Sequence, residues 1–164
     1  MKALFIGGIK SGKSKNAEEF TLMHAKTKPY YLATTEFIDA EMAQRIELHK
    51  KQREDKFITV EESLELSKAV AKCDDIVVIE CISMWINNML FHNKTKEDIF
   101  LEIETLLELE NSIVFVLNDV GGGIIPDNKL AREFIDLSGI ISQKIAAKCD
   151  EVFHTVAGIS TKIK

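Results

Sequence analysis

Lys2-Ala3-Leu4-Phe5-Ile6-Gly7-Gly8-Ile9-Lys10-Ser11-Gly12-Lys13-Ser14 opens the chain and decides its fold. Ala3 to Ile6 is a short apolar run, the pattern of a strand buried in a parallel sheet. Gly7, Gly12, Lys13 and Ser14 then fill G-x-x-x-x-G-K-[ST] without a gap. A polyphosphate needs several donors converging on one point, and backbone N–H groups supply them where no Cβ intrudes. A helix starting near Lys13 turns its positive end toward the same anion. Lys13 is then placed to reach the β- and γ-phosphates, and the Ser14 hydroxyl to take a position on Mg²⁺. Gly7, Gly8, Ile9, Lys10, Ser11, Gly12, Lys13 and Ser14 together form the candidate nucleotide loop. A glycine turn that merely precedes a lysine is the plain alternative, disfavoured by the strand before it and the helix after it.

Downstream, strands and helices alternate. The helix from Lys13 runs to about Lys26 and stops before Lys28-Pro29. A strand covers Tyr30 to Ala33 and ends in Thr34-Thr35. A second helix is expected from Asp39, as its N-cap, to about Arg53. A strand at Phe57 to Val60 precedes a helix over Ser63 to Lys72, with Ser63 as the cap candidate. Ile76 to Ile79 is the clearest buried strand. Helical patterns at Ser83 to Phe91 and Lys96 to Leu109 follow, then a strand at Ile113 to Leu117. A loop at Gly121 to Pro126 leads to a long helical pattern at Lys129 to Lys148, and Val152 to Ala157 reads as the last strand. This is an α/β chain with a mostly parallel sheet and helices on both faces. No repeat or linker interrupts it, so residues 1–164 read as one nucleotide-binding domain.

Composition bounds the partners. The net charge is -5, and Lys and Arg are scattered without a block. A nucleic acid is therefore not expected as the main partner, because backbone binding needs a concentrated basic surface. Cys73, Cys81 and Cys149 are far apart and lack a C-x-x-C, which speaks against a disulfide framework or zinc site and for a reducing cytoplasm. The apolar run after Met1 stops at Gly7, too short for a signal peptide. The run from Cys81 to Phe91 is too short for a membrane span.

In such a sheet, ligands collect at the carboxyl ends of the strands. That rule gathers Gly7 to Ser14, Ala33 to Thr35, Glu80 and Asn118 to Gly123 on one rim. Glu80 ends a strand where a carboxylate serves either Mg²⁺ or a ribose hydroxyl. Gly121 to Gly123 either let a ligand approach the backbone or form a loose turn. His49 falls on the second expected helix with Arg45, Lys50, Lys51 and Arg53 around it. That cluster is either a phosphate site or a solvated face, and a neutral imidazole there is a competent nucleophile. His24, His92 and His154 read as half-buried core histidines.

Taken together, these segments resemble the bifunctional adenosylcobinamide kinase / adenosylcobinamide-phosphate guanylyltransferase family of cobalamin synthesis. The resemblance spans essentially the whole chain. It rests on Gly7 to Ser14, Tyr31-Leu32-Ala33-Thr34, Glu41 to Lys50, Thr59-Val60-Glu61, Ile79 to Trp85, Asn118 to Pro126 and the terminal Ala157 to Lys164. Its most specific parts are R-I-x-x-H at Arg45 to His49 and the Asn118 to Pro126 run. It implies a RecA-like fold and two reactions. GTP or ATP phosphorylates adenosylcobinamide, a corrinoid; GMP is then transferred from GTP to the phosphate through a GMP-histidine intermediate on His49. It also implies nucleotide contacts at Ala33, Thr34, Thr35, Lys50, Lys51, Gln52, Glu61 and Glu80, and a homotrimer. Departures are Asp119 where the family usually has Glu, Ser142-Gln143 for Asn-Gln, and Ser160 for Pro. A monofunctional P-loop kinase and a RecA-like regulatory protein are the competing readings.

Overall fold

The structure, a computed structural model, describes residues 1–36 and 55–164. The expected helix from Asp39 to Arg53, with His49, Lys50, Lys51 and Gln52, lies outside the described residues. Seven strands are described: β1 (Lys2–Gly7), β2 (Tyr30–Ala33), β3 (Ile58–Glu61), β4 (Val77–Glu80), β5 (Ile113–Asn118), β6 (Glu151–Val156) and β7 (Ile159–Lys162). They form one sheet in the order β3-β2-β4-β5-β1-β6-β7. Every pairing is parallel except β6 with β7. The described helices are α1 (Lys13–His24), α2 (Leu66–Val70), α3 (Ile82–Phe91), α4 (Lys96–Glu108) and α5 (Lys129–Lys148).

Two cores follow from the alternation of side chains along each strand. Ala3, Phe5, Val78, Val114 and Val116 pack on one face with Ala17 and Phe20 of α1. Phe5 stacks on Phe153 at 4.6 Å and meets Phe20 edge-on at 5.5 Å, both favoured aromatic geometries. Leu4, Val77, Ile79, Ile113, Phe115 and Leu117 form the opposite face with α2 to α5. At its centre Trp85 is fully buried, and its indole N–H donates to the Leu64 carbonyl at 2.9 Å. The uninterrupted apolar runs of β4 and β5 are thus the mark of strands covered on both faces.

Several boundaries differ from the sequence reading. α1 ends at His24 rather than Lys26, because the Asp75 carboxylate draws off Lys26 N–H, Thr27 N–H and the Thr27 hydroxyl. α2 is only Leu66–Val70, and Ser63 does not cap it. The Glu62 carboxylate takes the N–H groups of Leu64 and Glu65, and Glu102 of α4 takes that of Ser67 at 2.7 Å. Phe57 is not in β3 but is buried beside Tyr31, with ring centres 6.0 Å apart. The strand after α5 is not the last. Ala157 and Gly158 both adopt positive φ, 53° and 83°, the pattern of a two-residue hairpin turn, and the chain returns as β7. His24, His92 and His154 are exposed rather than half-buried. They sit at a helix end, beyond a helix end and on the edge hairpin, where the imidazole reaches solvent. His24 still stacks on Phe20 at 4.1 Å, and His92 Nε2 meets Glu36 Oε1 at 2.8 Å.

Candidate phosphate-binding site

The strand registers assemble the rim. Gly7 lies level with Asn118 and Thr155, and Ala33 lies level with Glu61 and Glu80. The candidate residues at the ends of β1 to β5 therefore share one edge of the sheet, as a parallel arrangement requires.

The loop between β1 and α1 is tightly folded. Ser11 N–H donates to the Gly8 carbonyl at 3.2 Å, and the Lys13 ammonium reaches the same carbonyl at 3.2 Å. Lys13 is only 6% exposed, so its charge is held at the foot of the loop rather than spread in solvent. Two glycines are required by close approach. A Cβ at Gly7 would fall 2.4 Å from the Thr155 carbonyl oxygen, and one at Gly12, whose φ is +94°, would fall 2.9 Å from Gly158 Cα. Gly8 has open space around it, as do Gly122 and Gly123, and none of Gly121 to Gly123 has a positive φ. Ile9 and Lys10 are exposed on the crest. The Ser11 hydroxyl is buried without a hydrogen-bond partner among the described residues.

Across β5 from the loop, Glu80 at the end of β4 accepts from the Ser14 hydroxyl, Oγ to Oε1 2.8 Å. A hydroxyl beside a carboxylate is a pair of hard oxygen donors. Mg²⁺ takes one or two such protein ligands, with waters and phosphate oxygens filling the rest, so the donor set fits that ion. Among the described residues no group of three or more His, Cys, Asp or Glu side chains suits a metal held by protein alone.

Thr34 lies beneath this rim, fully buried. Its N–H donates to the Glu80 carbonyl at 3.0 Å, and its hydroxyl bridges the Glu80–Cys81 backbone, accepting from Cys81 N–H at 3.0 Å. Asn88 of α3 in turn donates to the Thr34 carbonyl at 2.6 Å. The structure thus gives Thr34 the task of holding the end of β4, while Ala33 and Thr35 flank it half-buried. Glu61 stands exposed at the end of β3. Cys81 follows Glu80, and burial first, then the Glu80 charge, pushes its thiol up to about 12. It remains protonated at neutral pH and offers no thiolate to the site. On the other side, Asp119 N–H donates to the Gly7 carbonyl at 2.9 Å, and Asn118 N–H donates to Ser83 Oγ at 2.9 Å. A small cleft lined by Asn118, Asp119, Gly121, Ser138 and Ser142 opens between these strand ends and α5.

Sequence reasoning missed what lies behind the loop. Asn16, Thr155, Gly158 and Ser160 all bear on it. The available signal was Ala157-Gly158 between two short runs with β-branched residues, a hairpin turn taken for the end of a strand.

The family model described as cobinamide kinase / cobinamide phosphate guanyltransferase matches residues 3–163. Among curated proteins, the chain is similar to the bifunctional adenosylcobalamin biosynthesis protein CobU of Escherichia coli, 34% identical with both chains fully covered. The protein of the same name from Salmonella typhimurium is 36% identical, again over all of both chains. The bifunctional adenosylcobalamin biosynthesis protein CobP of Pseudomonas aeruginosa is 32% identical over all of this chain and 98% of its own. Among solved structures, the KaiC-like protein PH0186 of Pyrococcus horikoshii superposes with a TM-score of 0.52 at 17% identity, covering 93% of this chain and 69% of that one. A prototypical ATPase of the type III secretion system superposes with a TM-score of 0.56 at 11% identity, covering 98% and 56%. At such identities these likenesses speak for the fold, which is the RecA-like P-loop arrangement.

Proposed function

This chain belongs to the cobinamide kinase / cobinamide phosphate guanyltransferase family, and from that premise we propose how its rim performs two transfers. It is a bifunctional enzyme of cobalamin biosynthesis, a kinase toward adenosylcobinamide and a guanylyltransferase toward the phosphate so formed. The narrower readings, a kinase alone or a regulatory nucleotide-binding protein, give way to the whole-chain match with bifunctional relatives.

In the first transfer, the adenosylcobinamide hydroxyl oxygen bonds to the γ-phosphorus of GTP or ATP, the bond to the nucleoside diphosphate breaks, and the hydroxyl proton is released to solvent. In the second, a His49 ring nitrogen bonds to the α-phosphorus of GTP and pyrophosphate leaves. An oxygen of adenosylcobinamide phosphate then displaces His49 and takes the GMP, giving adenosylcobinamide-GDP. The loop amides from Gly7 to Ser14 and the Lys13 ammonium hold the polyphosphate in both transfers. The buried Ser11 hydroxyl is a further donor for a phosphate oxygen. Ser14 and Glu80 would hold Mg²⁺, which when bound neutralises charge on the phosphate oxygens. In this reading Ala33, Thr35, Lys50, Lys51, Gln52, Glu61 and Glu80 surround the nucleotide, with Thr34 buried beneath them holding the end of β4, and residues 1–164 act as one catalytic unit.

The observation that carries the mechanism is the 2.8 Å Ser14–Glu80 contact at the foot of a loop that also buries Lys13. A hydroxyl paired with a carboxylate and an ammonium held on the same loop are the parts phosphoryl transfer needs. The reading extends to a homotrimer in a reducing cytoplasm. Exposed Ile124, Ile125 and Ile159 support an apolar contact between copies, and three free buried cysteines support the compartment. No helix among the described residues is long and apolar enough to cross a membrane. The test is to incubate the chain with adenosylcobinamide, GTP and Mg²⁺ and follow the corrinoid by mass. Adenosylcobinamide phosphate and then adenosylcobinamide-GDP are expected. A product that stops at the phosphate would contradict the second transfer.

A further inference from the structure

Behind the phosphate loop stands the β6–β7 hairpin, to which the two transfers assign no role. We propose that Asn16, acting through Gly158 and Ser160, is a positioning residue that holds the loop in its nucleotide-binding shape; the proposal rests on reading that loop as the nucleotide site. An anion cradle works only if its N–H groups already converge before the anion arrives, since ordering a loose loop costs binding free energy. The loop's own hydrogen bonds, Ser11 N–H and Lys13 Nζ to the Gly8 carbonyl, tie its first half to its second but anchor neither to the fold.

Asp119 N–H on the Gly7 carbonyl and Glu80 on the Ser14 hydroxyl hold the two ends of the loop, and the hairpin anchors its middle. Gly158 N–H donates to the Ser11 carbonyl at 2.7 Å. Its φ of +83° belongs to the turn that aims this N–H at the loop, and its Cα sits where a Gly12 side chain would begin. Asn16 lies one turn into α1, its N–H on the Gly12 carbonyl at 3.1 Å. Its side-chain amide donates to the Gly158 carbonyl at 3.1 Å and to Ser160 Oγ at 2.7 Å. Two amide hydrogens thus meet two acceptors on the turn. Ser160 Oγ is 2.7 Å from Thr155 Oγ1, and Thr155 is fully buried with its carbonyl against Gly7. The circuit closes: Gly7, the loop, Gly12, Asn16, Ser160, Thr155 and back to Gly7. The Asn16 side chain meets only Gly158 and Ser160, neither of which the transfers use, so its action is on the loop's shape.

The experiment titrates GTP into the full chain by calorimetry, well below the melting temperature, for wild type and four variants. Asn16→Ala removes two hydrogen bonds to the turn and is expected to raise the GTP Kd about tenfold. Ser160→Ala is expected to raise it about threefold, and the double variant to match Asn16→Ala, because both act through one contact. Lys164→Ala is the control. It removes two hydrogen bonds at the far end of the same hairpin, to the Ala146 and Ala147 carbonyls, and should lower the melting temperature while leaving Kd unchanged. A Kd for Asn16→Ala within about twofold of wild type would overturn the brace, as would an equal rise in Lys164→Ala. If Asn16→Ala does not fold, Ser160→Ala decides alone: a raised Kd supports the brace and an unchanged one overturns it. A wild-type chain that takes up no GTP would overturn the reading of the loop itself, and the brace with it.

Discussion

Lys13 shows how one side chain binds sequence to chemistry. It is buried by the fold of the loop and carries a charge that only a nearby anion or carbonyl offsets, which is why its ammonium sits on Gly8 O. Lys13→Ala should therefore reduce both activities together, by about 3 kcal/mol of transition-state stabilisation or more, a loss of over a hundredfold. Steady-state rates of both transfers on the purified variant check this, and one activity left at the wild-type rate would contradict a shared loop. Lys13 and Ser14 were legible because the motif specifies side chain and spacing at once. Thr34 was legible only as a member of the rim. That its hydroxyl turns inward to Glu80 and Cys81 depends on the pairing of β2 with β4, a contact 46 residues or more distant in the chain.

Elements with strong local signals stand where the sequence placed them; those set by distant partners do not. α4 begins with Thr95 and Asp98, which cap each other reciprocally, a signal contained in four residues. α2 was overextended because Glu62 and Glu102, one of them on another helix, terminate its N–H groups. The capping box makes a pH-dependent prediction. The Thr95 N–H and then the Thr95 hydroxyl hold the Asp98 carboxyl below the usual carboxylate range. A depressed folded pKa means the contribution is full above the unfolded value of about 3.9 and is lost as pH falls through the folded value. Asp98→Ala should therefore melt below wild type at pH 7, and the gap should close as pH drops below about 4. Melting curves across that range check it, and a gap of constant size would contradict the role. Thr95→Ala should cost about 1 kcal/mol, or roughly 2–4 °C, at neutral pH.

At the scale of the molecule, the alternation of apolar strands with amphipathic helices was sufficient to establish an α/β sheet. The parallel order then brings loop, Glu80 and Asn118 to one edge with no further information. β7 escaped notice because an exposed antiparallel edge strand with Ile159, Ser160, Thr161 and Lys162 has no buried face to give it a pattern. The brace it forms behind the loop was hidden with it. His49 lies outside the described residues, and its proposed role as nucleophile rests on the R-I-x-x-H resemblance. In the proposed mechanism the loop presents GTP to that imidazole and GMP passes through the protein. Incubation with GTP labelled at the α-phosphate, followed by denaturation, tests it most directly. Protein-bound label that survives alkali, is lost in mild acid and is absent from His49→Ala, which keeps its kinase activity, is the expected result. Unlabelled wild-type protein that nonetheless makes adenosylcobinamide-GDP, or a His49→Ala variant that makes it at the wild-type rate, would contradict it.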